Sequence, residues 1–326
     1  MTGGAGYIGS HAAKALRRAG RNVVIFDNLS AGHREATLGA PFVEADIRDV
    51  DAVRRALRDS GATAVMHFAA LLVIADSLRD PSSYYLNNVG GTLATLDAMA
   101  AERCRHFIFS STCAVYGEPT ELPLQETHST SPINPYGQTK LVIEQALPHF
   151  ERAYQIRSVR LRYFNAAGAD PDGDLGEDHT PEVHAIPRAF DAAMGGPPFE
   201  IFGEDYPTPD GTCLRDYIHV TDLADAHVRA LTYLESGGTS ASYNVGTERP
   251  SSVREVLEAV ERVSGRTVPR RVAPRRPGDP AVLYASAARI RRDLGWVPQR
   301  AALETIVGDA WRWHSSHPHG YQMRTR

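Results

Sequence analysis

Lysine is almost absent from this chain of 326 residues, whose 35 basic residues are 33 arginines and two lysines, Lys14 and Lys140. Arginine supplies nearly all positive charge, so a lysine kept against that bias is a candidate for a role that needs a compact ammonium group. Lys140 follows Tyr136 by four residues, which places both side chains on one face of a helix. A nearby cation lowers a tyrosine pKa from ~10, so the pair predicts a general acid/base.

Cysteine is also scarce, and the wide spacing of Cys104, Cys113 and Cys213 fits neither a disulfide framework nor a zinc motif. No segment approaches the ~18 consecutive apolar residues of a membrane-spanning helix. The N-terminus lacks the basic start and apolar core of a signal peptide. A net charge of −4 gives no reason to expect nucleic acid or an anionic membrane as partner. These absences predict a cytoplasmic globular protein.

Apolar segments rich in β-branched residues alternate with helical patterns through the first half of the chain. We predict strands over residues 23–26, 64–68, 106–111 and 158–161, and helices over residues 12–19, 52–58, 84–102 and 136–154. This alternation predicts an α/β fold with a Rossmann-type doubly wound parallel sheet. After residue 165, proline, glycine and acidic residues break the rhythm. Residues 166–326 are therefore predicted to form a smaller C-terminal α/β substrate-binding region, partly interwoven with the first domain.

A glycine-rich turn lies at the start of the chain. Residues 4–9 read Gly-Ala-Gly-Tyr-Ile-Gly, which fits G-x-G-x-x-G, and Gly3 precedes them. Such glycines let helix N-terminal amides approach a pyrophosphate. Asp27 ends an apolar segment 18 residues after Gly9, where an acid binds the adenosine ribose, although Asp27 could also simply open a turn. No basic residue follows Asp27 closely, so residues 1–165 are predicted to be an NAD-binding domain rather than one for NADP.

The chain begins unusually close to this turn. A dinucleotide-binding unit needs a strand before its glycines, yet only Met1 and Thr2 precede Gly3. A missing central strand would leave backbone donors and acceptors on both neighbouring strands unpaired. The sequence therefore predicts that the first strand is truncated and that the native protein has several more apolar residues upstream.

Ordered stretches along nearly the whole chain resemble the extended short-chain dehydrogenase/reductase family, and in particular its UDP-hexose 4-epimerases. The matching stretches are residues 2–11 (TGGAGYIGSH), 27–30 (DNLS), 67–70 (HFAA), 84–89 (YYLNNV), 162–165 (RYFN), 214–220 (LRDYIHV), 273–279 (APRRPGD) and 311–314 (WRWH). The resemblance implies NAD-dependent 4-epimerisation of a UDP-hexose, UDP-glucose or UDP-galactose. The sugar would be oxidised at C4 to a 4-keto intermediate, would rotate, and would be reduced from its opposite face.

The resemblance also implies roles for individual residues. Tyr136 would be the catalytic acid/base, Lys140 would hold the nicotinamide ribose, and Thr112 would hydrogen-bond the sugar 4-oxygen. The NAD site would be formed by Gly3, Gly6, Tyr7, Ile8, Gly9, Asp27, Asn28, Asp46, Ile47, Phe68, Ala69, Ala70, Asn87, Tyr136, Lys140 and Phe164. The UDP-sugar site would be formed by Asn165, His184, Ile201, Phe202, Arg215, Arg276 and Asp279. Arginine suits a diphosphate because its guanidinium binds phosphate oxygens bidentately.

Three positions depart from the family pattern. Leu72 stands where a lysine often contacts the cofactor, which predicts weaker NAD retention. His184 stands where some members have asparagine. Leu283 lies where bulk restricts the 2-substituent of the sugar, so acceptance of N-acetylated sugars stays open.

Two other functions remain open from the sequence. A nucleotide-sugar 4,6-dehydratase or decarboxylase of the same family needs an acid directly after the active-site strand, where this chain has Cys113 and Ala114. A non-catalytic, NAD-sensing regulator would typically lack the pair Tyr136 and Lys140. Both features favour the epimerase.

Two further expectations concern metal and partners. Glu177, Asp178, His179 and His184 lack the paired spacing of metal ligands, so we expect a solvated polar turn and no metal site. The helices over residues 84–102 and 136–154 resemble those that pair in family dimers. We therefore expect a homodimer whose apolar surface comes from Ala94, Leu96, Ala98, Leu141, Ile143 and Leu147.

Overall fold

The structure is a computed structural model that describes residues 1–276 and 279–321. Within them lie twelve β-strands: β1 (Ile25–Asp27), β2 (Phe42–Glu44), β3 (Ala64–His67), β4 (His106–Thr112), β5 (Arg157–Tyr163), β6 (Asn165–Ala167), β7 (Phe199–Phe202), β8 (Leu214–His219), β9 (Ala241–Val245), β10 (Pro250–Ser252), β11 (Arg270–Ala273) and β12 (Val282–Leu283). The same residues form eleven α-helices: α1 (Tyr7–Arg18), α2 (Val50–Ser60), α3 (Ile74–Arg79), α4 (Pro81–Tyr84), α5 (Gly91–Ala101), α6 (Pro135–Tyr154), α7 (Ala185–Ala193), α8 (Val220–Glu235), α9 (Val253–Ser264), α10 (Ala288–Leu294) and α11 (Leu303–Ser316). A π-helical turn (Tyr85–Gly90) joins α4 to α5.

The main sheet is parallel throughout. Strands β1 and β2 pair with each other, and β3, β4, β5 and β9 follow in that order. Thr2 bridges Phe26 and His67 in parallel, so the first residues of the chain lie between β1 and β3. The amide of Gly3 donates to the Phe26 carbonyl at 2.9 Å, and that of Phe68 donates to the Thr2 carbonyl at 2.9 Å. The start of the chain thus pairs with both neighbours, and the expectation of further residues upstream stays a prediction.

Helices cover both faces of this sheet, as the alternation in β4 illustrates. Phe107 and Phe109 point to a core shared with α2, α5 and α6. Ile108, between them, points to the opposite core, which α1 and α8 cover. Because both faces are buried, consecutive residues of β4, Phe107 to Phe109, are all apolar. The predicted Rossmann-type doubly wound parallel sheet is confirmed.

The C-terminal half contains the smaller region. Strand β8 pairs with β6, β10 and β12, and β7 pairs with β11 in parallel. A separate core lies between helices α7, α9 and α11, with Phe190, Leu257 and Val307 fully buried in it. Yet α8 packs on α1, and β9 pairs with β5 of the main sheet. The two regions are therefore interwoven, while the boundary at residue 165 stays a proposal.

The expected dimer surface needs a correction. Leu96, Ala98, Leu141, Ile143 and Leu147 are buried within the chain, and only Ala94 is partly exposed. These two helices cover the sheet, so their apolar sides face the core of their own chain. In the described part of the chain, no helix is both long and apolar enough to cross a membrane.

Candidate active site

The glycine loop leaves free space above one residue, Gly6, that internal packing does not explain. A Cβ on Gly3, whose φ is +70°, would lie 2.4 Å from the Ala69 amide nitrogen, and one on Gly9 would lie 2.2 Å from the Gly3 carbonyl oxygen. Packing therefore demands glycine at both positions. A Cβ on Gly6 would meet only the Gly3 oxygen, at an ordinary 3.5 Å. The free space above Gly6 is what a pyrophosphate needs to approach the backbone.

The N-terminus of α1 faces this space. Gly6 provides no side-chain cap, and the first turn has no acidic residue. The amides of Tyr7, Ile8 and Gly9 have no acceptor inside the helix, which together with the helix dipole favours an anion. The Tyr7 hydroxyl donates to the Gly168 carbonyl at 2.7 Å. Tyr7 therefore offers a ligand its backbone rather than its hydroxyl.

Asp27 lies at the end of β1 beside the loop. Its carboxylate accepts from the Ala5 amide at 3.0 Å and from the Leu29 amide at 2.9 Å. Each oxygen can accept a further hydrogen bond, so a role in the turn and a role towards ribose hydroxyls are compatible. The structure shows the first role directly.

Asn28 and Asp46, two of the residues expected to form the NAD site, contact each other. The Asn28 amide donates to Asp46 at 3.1 Å. The guanidinium of Arg48 hydrogen-bonds the Asp46 carboxylate and lowers its pKa to about 2, so Asp46 is ionised at neutral pH. The side chain of Ile47 is buried against Gly91, which leaves its backbone as the part able to face a cofactor.

The segment after β3 is held by a residue that our sequence analysis did not assign to the site. Asn88 accepts from the Leu71 amide at 2.8 Å and donates to the Leu71 carbonyl at 3.0 Å. It also donates to the Thr139 hydroxyl on α6 at 3.2 Å, and Asn87 donates to Asn88 at 3.0 Å. Asn88 therefore ties the loop after Ala70 to the catalytic helix. An asparagine inside a predicted helix was the available signal.

Close helix packing positions Tyr136 and Lys140. Asn134 caps α6 by accepting from the Gly137 amide at 2.8 Å, and Pro135 occupies the first helical position. A Cβ on Gly137 would lie only 2.6 Å from the Ala114 carbonyl oxygen. Glycine at this position lets α6 approach the turn after β4, which holds Thr112. The position of Gly137 between Tyr136 and Lys140 could have indicated this close packing from the sequence, but it was not used there.

Lys140 is buried in front of β4. Its ammonium donates to the Ser110 carbonyl at 2.9 Å and lies 5.9 Å from the centre of the Tyr136 ring. Burial lowers the pKa of Lys140 to about 7, and burial raises the pKa of Tyr136 well above its ordinary value. The sequence predicted that Lys140 would lower the pKa of Tyr136. In the protein alone the pKa is raised instead, because burial removes water from around the phenol.

Thr112 completes the group at the end of β4. Its hydroxyl oxygen accepts from the Ala114 amide at 3.2 Å, which leaves the hydroxyl proton free to donate. Burial raises the pKa of Cys113 to about 12, so this thiol is no nucleophile at neutral pH. Glu118, the next acid along the chain, is exposed on the following loop.

Three of the residues expected to bind the substrate lie on or against β8. Arg215 pairs with Asp279 and donates to the Leu214 carbonyl at 2.8 Å, and Asn165 donates to the Asp216 carbonyl at 3.2 Å.

The ring of Phe202, at the end of β7, has its centre 3.8 Å from the guanidinium of Arg276, which follows β11. Ile201 is only 2% exposed and belongs to the core, so its side chain does not face this site. Phe164 is likewise buried, beside Leu141. Residues 277 and 278, inside the predicted 273–279 motif, lie outside the described residues.

The segment before α7 is not the solvated turn that we expected. The side chain of Glu177 is only 3% exposed and contacts His184, while His179 and Glu182 lie beside both. Although burial opposes it, the carboxylates of Glu177 and Glu182, 3.4 and 3.7 Å from Nδ1, raise the pKa of His179 to about 10. Burial of Glu177 against two imidazoles explains the difference from the expected turn.

Comparisons with known proteins agree with this geometry. Residues 1–246 match the NAD dependent epimerase/dehydratase family. The chain is 52% identical over 316 residues to the UDP-glucose 4-epimerase of Rhizobium leguminosarum bv. trifolii, covering 97% of this chain and 96% of that relative.

Two solved structures are similar over nearly their whole length. UDP-glucose 4-epimerase from Brucella ovis in complex with NAD is 48% identical with a TM-score of 0.93, covering 96% of this chain and 97% of that one. The enzyme from Bifidobacterium longum in complex with NAD+ and UDP is 35% identical with a TM-score of 0.92, covering 98% of each chain.

Proposed function

The chain belongs to the NAD dependent epimerase/dehydratase family, and we propose that it interconverts UDP-glucose and UDP-galactose by NAD-dependent 4-epimerisation. It is therefore an isomerase. The observation that carries the proposal is the convergence of Thr112, Tyr136 and Lys140 at the carboxyl end of β4. In a doubly wound sheet this edge is also where the glycine loop presents its amides, so cofactor and sugar meet there.

The residues present fit NAD. The open backbone at Gly6 and the amides that begin α1 would hold the pyrophosphate, and Asp27 would hold the adenosine ribose through its remaining acceptor positions. Asn28 and Asp46 would lie beside the adenine, and Lys140 would reach the nicotinamide ribose. When bound, NAD+ supplies a hydride acceptor at the sugar C4 and positive charge beside the phenol of Tyr136.

The side chains around the sugar handle its proton. Tyr136 takes the proton of the 4-hydroxyl, while Thr112 donates a hydrogen bond to the same oxygen and fixes its position. Because burial raises the pKa of Tyr136, the phenolate needs cationic neighbours, and Lys140 contributes one when protonated. After the 4-keto sugar has turned over, Tyr136 returns the proton to the 4-oxygen. One side chain therefore acts as base and then as acid.

Arginines anchor the part of the substrate that does not react. Arg215 and Arg276 would bind the diphosphate of UDP, with Asp279 and Asn165 beside them. Binding energy placed on this remote group holds the substrate while the hexose rotates. Phe202, beneath Arg276, offers an aromatic surface to the nucleotide side of the site.

No observation favours the alternative functions. A 4,6-dehydratase or decarboxylase needs a carboxylate beside Thr112, and the residues in that place are Cys113 and Ala114. A non-catalytic NAD sensor has no use for a buried lysine beside a tyrosine.

Replacing Tyr136 with phenylalanine tests the proposal. We expect Tyr136→Phe to lose about 10²–10⁴-fold in turnover of UDP-galactose, because the proton acceptor is gone. Bound NAD should stay at the wild-type level. Tyr154→Phe is the matched control, since Tyr154 is exposed on the same helix, and it should keep full activity. An unchanged rate for Tyr136→Phe would overturn the assignment.

We also propose that the protein is a cytoplasmic homodimer. Its three free cysteines are in keeping with a reducing compartment. Ile74, Leu78, Tyr85 and Leu86 are 46%, 63%, 41% and 63% exposed, and we call them the apolar patch. A second copy of the chain is the occupant we propose for this patch, because α3 and the π-helical turn lie against α6, one of the helices that resemble the pairing helices of family dimers.

A further inference from the structure

A row of polar side chains crosses three strands of the main sheet directly beside the catalytic residues. Ser111 on β4 is in register with Arg162 on β5, and Arg162 is in register with Asn244 on β9. Residues opposite each other on neighbouring strands point to the same face of a sheet. Thr112, which is expected to hold the sugar 4-oxygen, follows Ser111 directly. The row therefore lies one residue from the reacting end of β4.

Two further residues join this row into a hydrogen-bond network. Glu144 on α6 accepts from the Ser111 hydroxyl at 2.5 Å and from Arg162 Nε at 2.9 Å. The Tyr116 hydroxyl, after β4, accepts from Arg162 Nη1 at 2.9 Å and donates to Asn244 Oδ1 at 2.6 Å. We call these five residues the polar network: Ser111, Tyr116, Glu144, Arg162 and Asn244.

Stability alone does not explain a network that is buried so completely. Each of its five residues is at most 6% exposed, and it contains a charged pair, Arg162 and Glu144. Replacing a buried ion pair with apolar residues of similar volume is often neutral or stabilising. What a fully satisfied network adds is one fixed arrangement of the elements that carry it.

The network fixes the turn that separates Thr112 from α6. Tyr116 ends this turn, and its hydroxyl is held from two sides. Inside the turn, the Ala114 amide donates to the Thr112 hydroxyl oxygen at 3.2 Å, while the Ala114 carbonyl packs against Gly137 of α6. Glu144 attaches α6 to β4 and β5 about two helical turns further on. A displaced turn would therefore change the position of Thr112 relative to the catalytic helix.

The same network reaches the strand that is expected to anchor UDP. Asn244 Nδ2 donates to the Leu124 carbonyl at 3.0 Å, and the Leu124 amide donates to the Tyr284 carbonyl at 3.0 Å. Tyr284 follows β12, whose last residue, Leu283, is in register with Arg215 on β8. A continuous chain of hydrogen bonds and strand pairing therefore joins α6 to the arginine proposed to bind the diphosphate.

We propose that Tyr116 and Arg162 are positioning residues that, through the polar network, set the place of Thr112 and α6 relative to the UDP anchor. This inference rests on the proposed function. The diphosphate stays bound while the hexose turns, so the sugar 4-oxygen must reach the same phenol in both orientations. An error of about 1 Å in such a distance can cost about 10²-fold in rate. Both residues are buried and act through the residues that touch the substrate.

Removal of one hydroxyl group tests the proposal in the full-length protein. Tyr116→Phe keeps the ring and loses both hydrogen bonds. We expect kcat for UDP-galactose, expressed per bound NAD, to fall about tenfold, whereas KM and the Kd of UDP stay within about twofold of wild type. Tyr243→Phe is the matched control, because Tyr243 is a fully buried tyrosine next to Asn244 on β9 that belongs to the opposite core. Its kcat should equal that of wild type.

A second variant tests the other end of the network. Ser111→Ala removes the hydrogen bond from β4 to Glu144 and should also lower kcat per bound NAD. In the double variant with Tyr116→Phe, the loss should be smaller than the product of the two single losses, because both substitutions act on one network. Two unrelated structural defects would multiply instead.

Each outcome decides between a positioning role and a merely structural one. If Tyr116→Phe keeps the wild-type kcat per bound NAD and loses only thermal stability, the proposal is wrong. Losses in the Tyr116 and Ser111 variants that multiply would equally contradict it. A wild-type protein that does not turn over UDP-galactose would instead overturn the proposed function, and this inference with it.

Discussion

Lys14 and Lys140 are the two lysines of the chain, and the structure places them in opposite environments. The ammonium of Lys14 sits among three aspartates, where a compact point charge can reach all of them. Lys140 is 3% exposed and donates to a single carbonyl. Arginine could not replace Lys140 easily, since its guanidinium is larger and keeps its charge when buried. The rarity of lysine in the sequence therefore pointed to two special sites and not to one.

The buried amine of Lys140 makes stability depend on pH. Burial lowers its pKa from 10.5 to about 7, so between those values the unfolded chain binds a proton that the folded protein does not. The stability of the wild type should therefore rise with pH across this window, and the cost of the lysine is largest at pH 7 and below.

Lys140→Met should remove this cost. In NAD-free protein we expect the variant to exceed the wild type by about 3–5 kcal/mol in free energy of unfolding near pH 7. The difference should shrink as the pH approaches 10. Urea denaturation at several pH values between 6 and 9.5 measures it, and a difference that does not change with pH would show that the amine is not desolvated as described.

The sequence predicted the positions of some site residues but not the environments of others. Backbone geometry fixes the spacing of the glycines in the loop, of Asp27 after them, and of Lys140 after Tyr136. The places of these residues were therefore predictable. The sign of the Tyr136 pKa shift was not, because desolvation depends on what packs around the phenol. The contact between Glu177 and His184 was missed because a loop brings these residues together. A loop has no periodic hydrophobic pattern from which such a contact can be predicted.

At the scale of elements, α6 is the part on which the site depends most. It is fixed at its start by the Asn134 cap and in its middle by Glu144, which accepts from Arg162 at 2.9 Å and from Ser111. Gly137 sets its distance from the turn after β4. The sequence predicted this helix to its last residue, whereas the π-helical turn before α5 leaves no pattern in hydrophobic spacing and could not be foreseen.

Enlarging Gly137 should therefore damage catalysis through the position of α6. Gly137→Ala places a methyl group against the Ala114 carbonyl, and overpacking of this kind costs about 1–3 kcal/mol in stability. We expect a fall in kcat of at least tenfold, measured with UDP-galactose. Gly308→Ala is the matched control, because Gly308 lies inside α11 with open space at its Cβ. Its stability should hold or rise by about 0.5–1 kcal/mol. Equal kinetics in the two variants would contradict the packing account.

At the scale of the whole molecule, the doubly wound parallel sheet was predictable from the alternation of strands and helices in the sequence. Short connections and parallel crossovers leave few arrangements for alternating strands and helices. The C-terminal region was less predictable, because its strands have as few as two residues and pair with partners distant in sequence. The dimer surface was misplaced because a helix that covers a sheet buries its most apolar side within its own chain.

The apolar patch makes a prediction about assembly. Leu78→Glu combined with Leu86→Glu should convert the protein to a monomer, since two charges in a buried apolar contact cost more than the contact provides. Light scattering after size-exclusion chromatography gives the mass. Val297→Glu is the control, because Val297 is 46% exposed outside the patch. A dimer that survives the double substitution would place the interface elsewhere.

The central claim is that one sugar carbon is oxidised and then reduced on its opposite face within a single site. UDP-galactose carrying deuterium at C4 tests it most directly, with wild-type protein and no added NAD. We predict UDP-glucose that keeps the deuterium at C4, because the hydrogen leaves to the bound cofactor and returns from it without meeting water. Product with solvent hydrogen at C4 would contradict the account, since it would mean that the configuration changes by proton exchange instead.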